Sequence, residues 1–382
     1  EMLRSLVGSE MCIRDSLYCK KQEECKMRFI SLFGVILGCV FLAGCGDEKR
    51  AEGDVLVGIS LPLSGEFAFA GDALREAASL AVDEVNKRGG KYHYRLIIED
   101  DAFEARKTAA VVNKFINTDK VDAIISFASQ AGNIVAPLAE RHQIIHINFG
   151  ATDEAVLTGK YNFVHWTPPA ETTRKLLDFF ENRGWKKVVV IAANNAGTLS
   201  LAKTLFEQQN NYPQINLTTY YVQPAEKDFR MLLAEVKRRK PDVVLVLIYG
   251  GSIYPFIKQY RQQNLNFPLA NIEAFSMLPD FSLIDGMYLA DVAKGGESLE
   301  YRLKKENPHS SVYAIGNIYD AVMLISEAFE NSQERKDAVD VLKGIKIYEG
   351  SVGKLEQDSR GFFAAPAVLE KVENGRLLVI EN

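Results

Sequence analysis

The chain has 382 residues, 47% of them apolar and 25% charged, with a formal net charge of −5. That length suits two domains better than one core, and the mild acidity gives no footing for nucleic acid or an anionic membrane surface as partner. All five cysteines (Cys12, Cys19, Cys25, Cys39 and Cys45) fall at the N-terminal end, so the chain beyond Cys45 has no thiol chemistry, disulfide or cysteine metal site.

Residues 1–26 start on Glu1 and carry no periodic pattern; they read as a non-native leader and stand outside the fold argument. A secretory pattern follows over residues 27–45: Met27-Arg28, an apolar run from Phe29 to Leu42, then Leu42-Ala43-Gly44-Cys45. The run falls short of the roughly 20 apolar residues that a membrane span needs. Residues 46–54 are polar and read as a tether.

Val55 to Leu61 is an apolar run of strand length that breaks at Pro62 and turns through Ser64-Gly65. A helix is expected after Gly71, with Asp72 as N-cap, Leu74, Ala77, Ala78, Ala81, Val82 and Val85 on one face, and Gly89-Gly90 as the stop. In an open parallel sheet, ligands are held by loops at the carboxyl ends of strands, which makes Pro62–Gly71 part of a candidate site. Next come a strand at Tyr94–Glu99, a helix at Ala105–Asn117, a strand at Asp122–Phe127, a loop at Ala128–Gly132, a helix to Arg141 and a strand at Gln143–Asn148. The alternation restarts with a helix at Glu171–Arg183, a strand at Lys187–Ala193, the loop Asn194-Asn195-Ala196-Gly197 and another helix. Strand Leu217–Val222, helix Asp228–Arg239, strand Asp242–Ile248, a helix to Gln263 and a strand near Phe267–Ile272 complete this second set. Two successive βα sets imply two similar Rossmann-like α/β lobes with parallel sheets. The tail holds a long helix at Val312–Glu330, a short one at Ala338–Leu342 and a hairpin of Ala367–Val372 with Arg376–Ile380.

Enzyme signatures are mostly absent: there is no GxSxG, P-loop, HExxH or strand-end GxGxxG. Of the histidines His93, His142, His146, His165 and His309, only His142 and His146 have metal-like spacing, and His146 falls in a strand, off the helical face of His142. Asp100-Asp101 at a strand end suits helix capping better than paired acid–base work. No metal or cofactor is expected. Three strand-end loops, Ser64-Gly65, Ala128-Ser129-Gln130 and Gly150-Ala151-Thr152, precede helices, where free N–H groups favour an anion such as a carboxylate.

The stretch PLSG, an aromatic, a Gly and a helix ending in AVDEVNKRGG resembles the start of the type I periplasmic binding proteins, in the branch of the leucine/isoleucine/valine-binding protein. LAGC resembles a bacterial lipobox, which implies cleavage before Cys45 and its acylation. The resemblance implies a three-segment hinge, with crossings near Pro169, Ala290 and Ser359. Lobe 1 is then 55–169 plus 291–359, and lobe 2 is 170–290 plus 360–382.

It also implies that Ser129 and Gly150-Ala151-Thr152 hold the α-carboxylate and ammonium of an amino acid. Glu273 from lobe 2 completes the ammonium site, and Phe69 covers the side chain. Some positions depart from the family. Asn195 and its neighbours stand where a tyrosine is common, and Trp166 stands where an arginine is common. Phe103 and Ala128 replace the two cysteines of a lobe-1 disulfide, and Tyr249 and Tyr254 are candidates for the missing aromatic wall.

The expectation is a lipid-anchored, extracytoplasmic, non-enzymatic binding protein for an amino acid, branched-chain or otherwise apolar. It would deliver ligand to the membrane permease and ATPase of an ABC transporter. A sensory binding protein for amides or other small carboxylates is the alternative. An enzyme using Asp100, Asp101 or Glu273 has the least support.

Overall fold

The computed structural model describes residues 53–278, 280–306 and 311–380, apart from the side chains of Glu66, Phe69, Glu297 and Glu306. The signal pattern, Cys45 and His309 lie outside the described residues. The chain runs β1 (Asp54–Leu61), α1 (Ala68–Arg88), β2 (His93–Asp100), α2 (Ala105–Lys114), β3 (Ala123–Phe127), α3 (Ala128–His142), β4 (Ile145–Phe149) and β5 (Asn162–Trp166). It continues through α4 (Pro169–Asn182), β6 (Lys187–Ala193), α5 (Ala196–Gln209), β7 (Asn216–Val222), α6 (Arg230–Arg239), β8 (Val243–Leu247), α7 (Ile253–Gln262), β9 (Leu269–Ile272) and β10 (Tyr288–Val292). The last part is α8 (Glu297–Glu306), α9 (Ile315–Asn331), α10 (Ala338–Gly344), β11 (Ile347–Gly350), β12 (Gly353–Gln357), β13 (Phe362–Ala364), β14 (Ala367–Glu373) and β15 (Arg376–Val379).

These strands form two sheets, ordered β11-β12-β13-β5-β4-β3-β1-β2 and β15-β14-β10-β9-β8-β6-β7. Both are parallel through the middle, with antiparallel edges at β11-β12-β13 and β10-β14-β15. The two-lobed α/β expectation therefore holds, with mixed rather than purely parallel sheets.

Alternation along β1 explains the layering. Val55, Val57, Ile59 and Leu61 join the cluster under α1 and α9, whereas Leu56 joins Val112, Phe115 and Val135 on the other face. In the second lobe Val244 and Val246 face one cluster and Val243, Leu245 and Leu247 the other. Each such side chain, fully buried, stabilises the fold by about 1.5–3 kcal/mol. Ile315, Ile318, Ala321, Val322 and Ile325 of α9 are all buried, as their spacing predicted, and α9 packs on α1 in the first lobe.

Several boundaries move. The first helix begins at Ala68, so Asp72 is not its N-cap but lies within it, ion-paired to Arg75. Gly71 is there for close approach: a Cβ would stand 2.4 Å from the Pro62 carbonyl oxygen. The strands β5, β10 and β11–β13 and the helix α8 carry too weak a periodicity to stand out in the sequence.

The chain passes between sheets at 167–168, 293–296 and 365–366. β10 runs to Val292, past Ala290, and β13 still pairs with β5 in the first sheet, so the third crossing lies beyond Ser359. The three segments run side by side: Ala365 N–H donates to the Trp166 carbonyl at 2.9 Å and Ala293 N–H to the Pro366 carbonyl at 3.0 Å.

Candidate functional site

One wall of the cleft is built from the loops after β3 and β4. Ala128, at φ +64°, turns the chain so sharply that Ser129 already sits in the first turn of α3. Ser129 Oγ accepts the N–H groups of Thr152 and Asp153, each at 3.1 Å. Gly150 adopts φ +80°, and a Cβ there would stand 2.9 Å from the Phe127 ring. Ala151 and Thr152 are buried beside it.

The first turn of α5, from the second lobe, docks directly on this wall. Thr152 Oγ1 donates to the Gly197 carbonyl at 3.0 Å, and Ser200 Oγ donates to the Thr152 carbonyl at 2.8 Å. A Cβ on Gly197 would lie 3.0 Å from Thr152 Oγ1 and 3.2 Å from Ser129 Oγ. The lobes are thus closed on each other. Ser129 Oγ and the N–H, hydroxyl and carbonyl of Thr152 all have protein partners. Asn195 is engaged too: it is the N-cap of α5, its Oδ1 accepting Thr198 N–H at 3.0 Å.

Across the cleft the polar groups are left open. Glu273 follows β9 at φ +64°, ψ −50°, a γ-turn-like conformation that is strained for a non-glycine residue. Its N–H donates to the Ala290 carbonyl at 3.0 Å, and Ser276 Oγ donates to its carbonyl at 2.6 Å. The residue is 2% exposed and its Oε1 has no hydrogen-bond partner among the described residues. Burial pushes its carboxyl up to about 8, the Trp166 N–H opposing that shift and the Asp291 charge adding to it.

Trp166 ends β5 with no exposure, and its indole N–H lies close enough to Glu273 to oppose the rise of that carboxyl, without a hydrogen bond of full geometry among the described residues. The Thr198 hydroxyl is equally buried and lies against the Tyr249 phenol, where it opposes the rise that burial imposes on that group's pKa. Tyr249 is half-buried, packs against the cores of both lobes, and has its phenol held protonated by burial and the Glu273 charge. Burial and Glu273 act the same way on Tyr313, whose ring meets Trp166 at 5.8 Å and 63°. Behind Glu273, Lys294 Nζ binds both Glu370 oxygens at 2.7 and 2.9 Å and lies 3.8 Å from Asp291. Burial raises the Asp291 carboxyl as well.

The predicted residues therefore divide. Ser129, Gly150, Ala151 and Thr152 form one end of the cleft, and Tyr249 and Glu273 the other. Tyr254 is 49% exposed on α7 and forms no part of the buried wall. Phe69 lies in the first turn of α1, with its side chain outside the description.

The sequence points to neither Tyr313 nor Thr198 as a neighbour of the Glu273–Tyr249 corner, and to Trp166 only as a departure from the family pattern. A signal for Trp166 existed: β3, β4 and β5 each end on an aromatic, Phe127, Phe149 and Trp166. Asp100 and Asp101 shape the first loop, Asp100 accepting the N–H groups of Leu63, Ser64 and Ala102, and Asp101 the Ser60 and Thr108 hydroxyls. Ser126, His146 and Asn162 line up as in a hydrolase triad, with 2.8 Å from Ser126 to His146 and 2.8 Å from His146 to Asn162. All three are sealed in the sheet, where burial lowers His146 to about 4 and keeps it neutral.

The family model described as periplasmic binding protein matches residues 54–375. The chain is 23% identical over 371 residues to the Leu/Ile/Val-binding protein BraC3 of Rhizobium johnstonii, covering 90% of this chain and 99% of that protein. Its fold is similar to the leucine-binding protein LivK of Thermotoga maritima (TM-score 0.77, 19% identity, 86% of this chain and 98% of that one). A solute-binding protein of R. palustris, solved with benzoate, is also similar (TM-score 0.76, 18% identity, 86% and 96% covered).

Proposed function

The chain belongs to the type I periplasmic binding protein family, in the branch of the Leu/Ile/Val-binding proteins, and on that premise we propose that it is the amino-acid-binding component of an ABC transporter. The family consists of non-enzymatic, extracytoplasmic ligand-binding proteins. The observation that carries the amino-acid reading is Glu273: a buried carboxylate with an unpartnered oxygen, between two lobes, at the end of a strand. An ammonium brought by the ligand supplies the counter-charge that lets this carboxyl ionise, since without a partner a buried charge costs several kcal/mol and burial keeps the group protonated. Tyr249 and the Trp166–Tyr313 corner give that ammonium an apolar surround, which favours an amino acid with an apolar side chain, branched-chain types first.

In this reading the segments 167–168, 293–296 and 365–366 are the hinge between the lobes. Ligand favours the closed form because it contacts both lobes only there. The permease and ATPase recognise that form, and acylation of Cys45 holds the protein at the membrane. A sensory protein for amides or small carboxylates is the second reading. It is favoured by the engagement of Ser129 and Thr152 with protein groups, which leaves the Glu273 end as the open one.

A thermal-shift panel of amino acids, amides and short carboxylates separates the two. A micromolar amino-acid ligand, about −8 kcal/mol, raises the melting temperature at millimolar concentration. Stabilisation only by compounds without an ammonium would overturn the amino-acid reading.

A further inference from the structure

We propose that the second crossing, 293–296, bends between Lys294 and Gly295, and that Lys294 is the positioning residue that fixes the bend there by clamping the segment to the second lobe. The inference rests on the lobe-closure part of the reading above and not on the identity of the ligand.

Three observations lead there. First, the near half of the segment is tied towards the second lobe. Lys294 Nζ binds both oxygens of Glu370 on β14, at 2.7 and 2.9 Å, and stands 3.8 Å from Asp291 Oδ2 on β10. Ala293 N–H donates at 3.0 Å to the carbonyl of Pro366, the residue before β14. Second, the far half is tied to the first lobe. Gly296 N–H donates at 2.9 Å to the carbonyl of Ser351, between β11 and β12. A Cβ on Gly295 would stand 3.0 Å from Gly316 Cα in the first turn of α9, so the backbone there lies directly against that helix. Third, between these anchors the N–H and carbonyl groups of Lys294 and Gly295 have no partner among the described residues.

A link anchored at each end to a different body can turn only at the torsions between its anchors. Here those torsions belong to Lys294 and to a glycine, which turns with the least steric resistance. The clamp holds because Glu370 and Asp291 are both buried, and an ammonium that leaves them strands two carboxylates in the interior. Without it the bend spreads back towards β10, and the open form gains conformers that the closed form does not. Every ligand is then weakened by the same factor, since the fraction of closed protein changes and the contacts to ligand do not.

The test reads amide hydrogen exchange, resolved to single residues, in the free protein, and then affinity for leucine and valine by calorimetry. In the parent, Ala293 and Gly296 are expected to be protected and Lys294 and Gly295 to exchange fast. Lys294→Met is expected to speed exchange at Ala293 about tenfold or more and to leave Gly296 as it was, and Lys294→Arg to restore Ala293. Glu370→Gln leaves Lys294 a weaker partner; it is expected to give the same pattern and serves if Lys294→Met does not fold. Leucine and valine are expected to lose affinity for Lys294→Met by one common factor, about 3- to 10-fold. Ala293 protection unchanged in Lys294→Met, or in Glu370→Gln if the first variant does not fold, overturns the clamp. Gly296 loosening together with Ala293 shows a segment anchored as one body and overturns the bend. Losses that differ between leucine and valine put the effect of Lys294 in the cleft and overturn its hinge role. The expected exchange pattern with no binding of either amino acid supports the bend and overturns the amino-acid reading.

Discussion

The two ends of the cleft are built on opposite terms. At the Ser129–Thr152 end every hydrogen bond named above is made within the protein, and two of them join the lobes. At the Glu273 end, the carboxyl Oε1 is buried with no hydrogen-bond partner among the described residues. The first arrangement joins the lobes directly in this closed form. The second raises the free energy of the closed form until a ligand fills it. In the proposed reading, adhesion and recognition are carried by different residues, which substitution can separate.

The largest effect belongs to Glu273. Replacing it with Gln removes the partner of a buried ammonium, a loss of about 3–5 kcal/mol, or more than 100-fold in leucine affinity by calorimetry. The same substitution is expected to raise the melting temperature of the free protein, because the carboxyl is pushed up to about 8 by burial. The folded protein holds that proton more tightly than the unfolded chain. Its stability therefore falls as pH rises from the ordinary glutamate range towards 8 and levels off above it. Glu273→Gln is expected to flatten that part of the melting profile.

Gly197→Ala comes next. A Cβ placed 3.0 Å from Thr152 Oγ1 opposes closure, so leucine affinity is expected to fall roughly tenfold. The lobe itself gains up to about 1 kcal/mol from alanine's helix propensity. A variant that binds as well as the parent would show that the lobes need not dock this closely. Thr152→Val should have the smallest effect. It removes one neutral hydrogen bond between lobes, about 1 kcal/mol, so roughly a fivefold weakening is expected. A loss as large as that of Glu273→Gln would erase the distinction between the two ends.

The sequence made the α/β alternation readable because most central strands, such as β6 and β8, are continuous apolar runs bounded by helices with clear faces. The position of Ser129, Thr152 and Glu273 at strand ends was readable for the same reason. What could not be read was contact between lobes. Nothing local announces that Gly197 meets Thr152, or that Asn195 caps α5 instead of meeting ligand. Tyr313 reaches the cleft from the segment before α9, which returns to the first lobe only after the second crossing. Trp166 ends a strand too short and too mixed in polarity to stand out, so a departure from family pattern was visible before its place in the cleft was.

The central claim is that an unpaired Glu273 waits for a cation, and proton release on binding tests it most directly. Calorimetric titration of leucine at pH 7, in buffers of different ionisation enthalpy, counts that proton. The account predicts close to one proton released per leucine bound, affinity that falls about tenfold per pH unit below about 8, and neither effect in Glu273→Gln. Tight binding of leucine with no proton released and no pH dependence would contradict it.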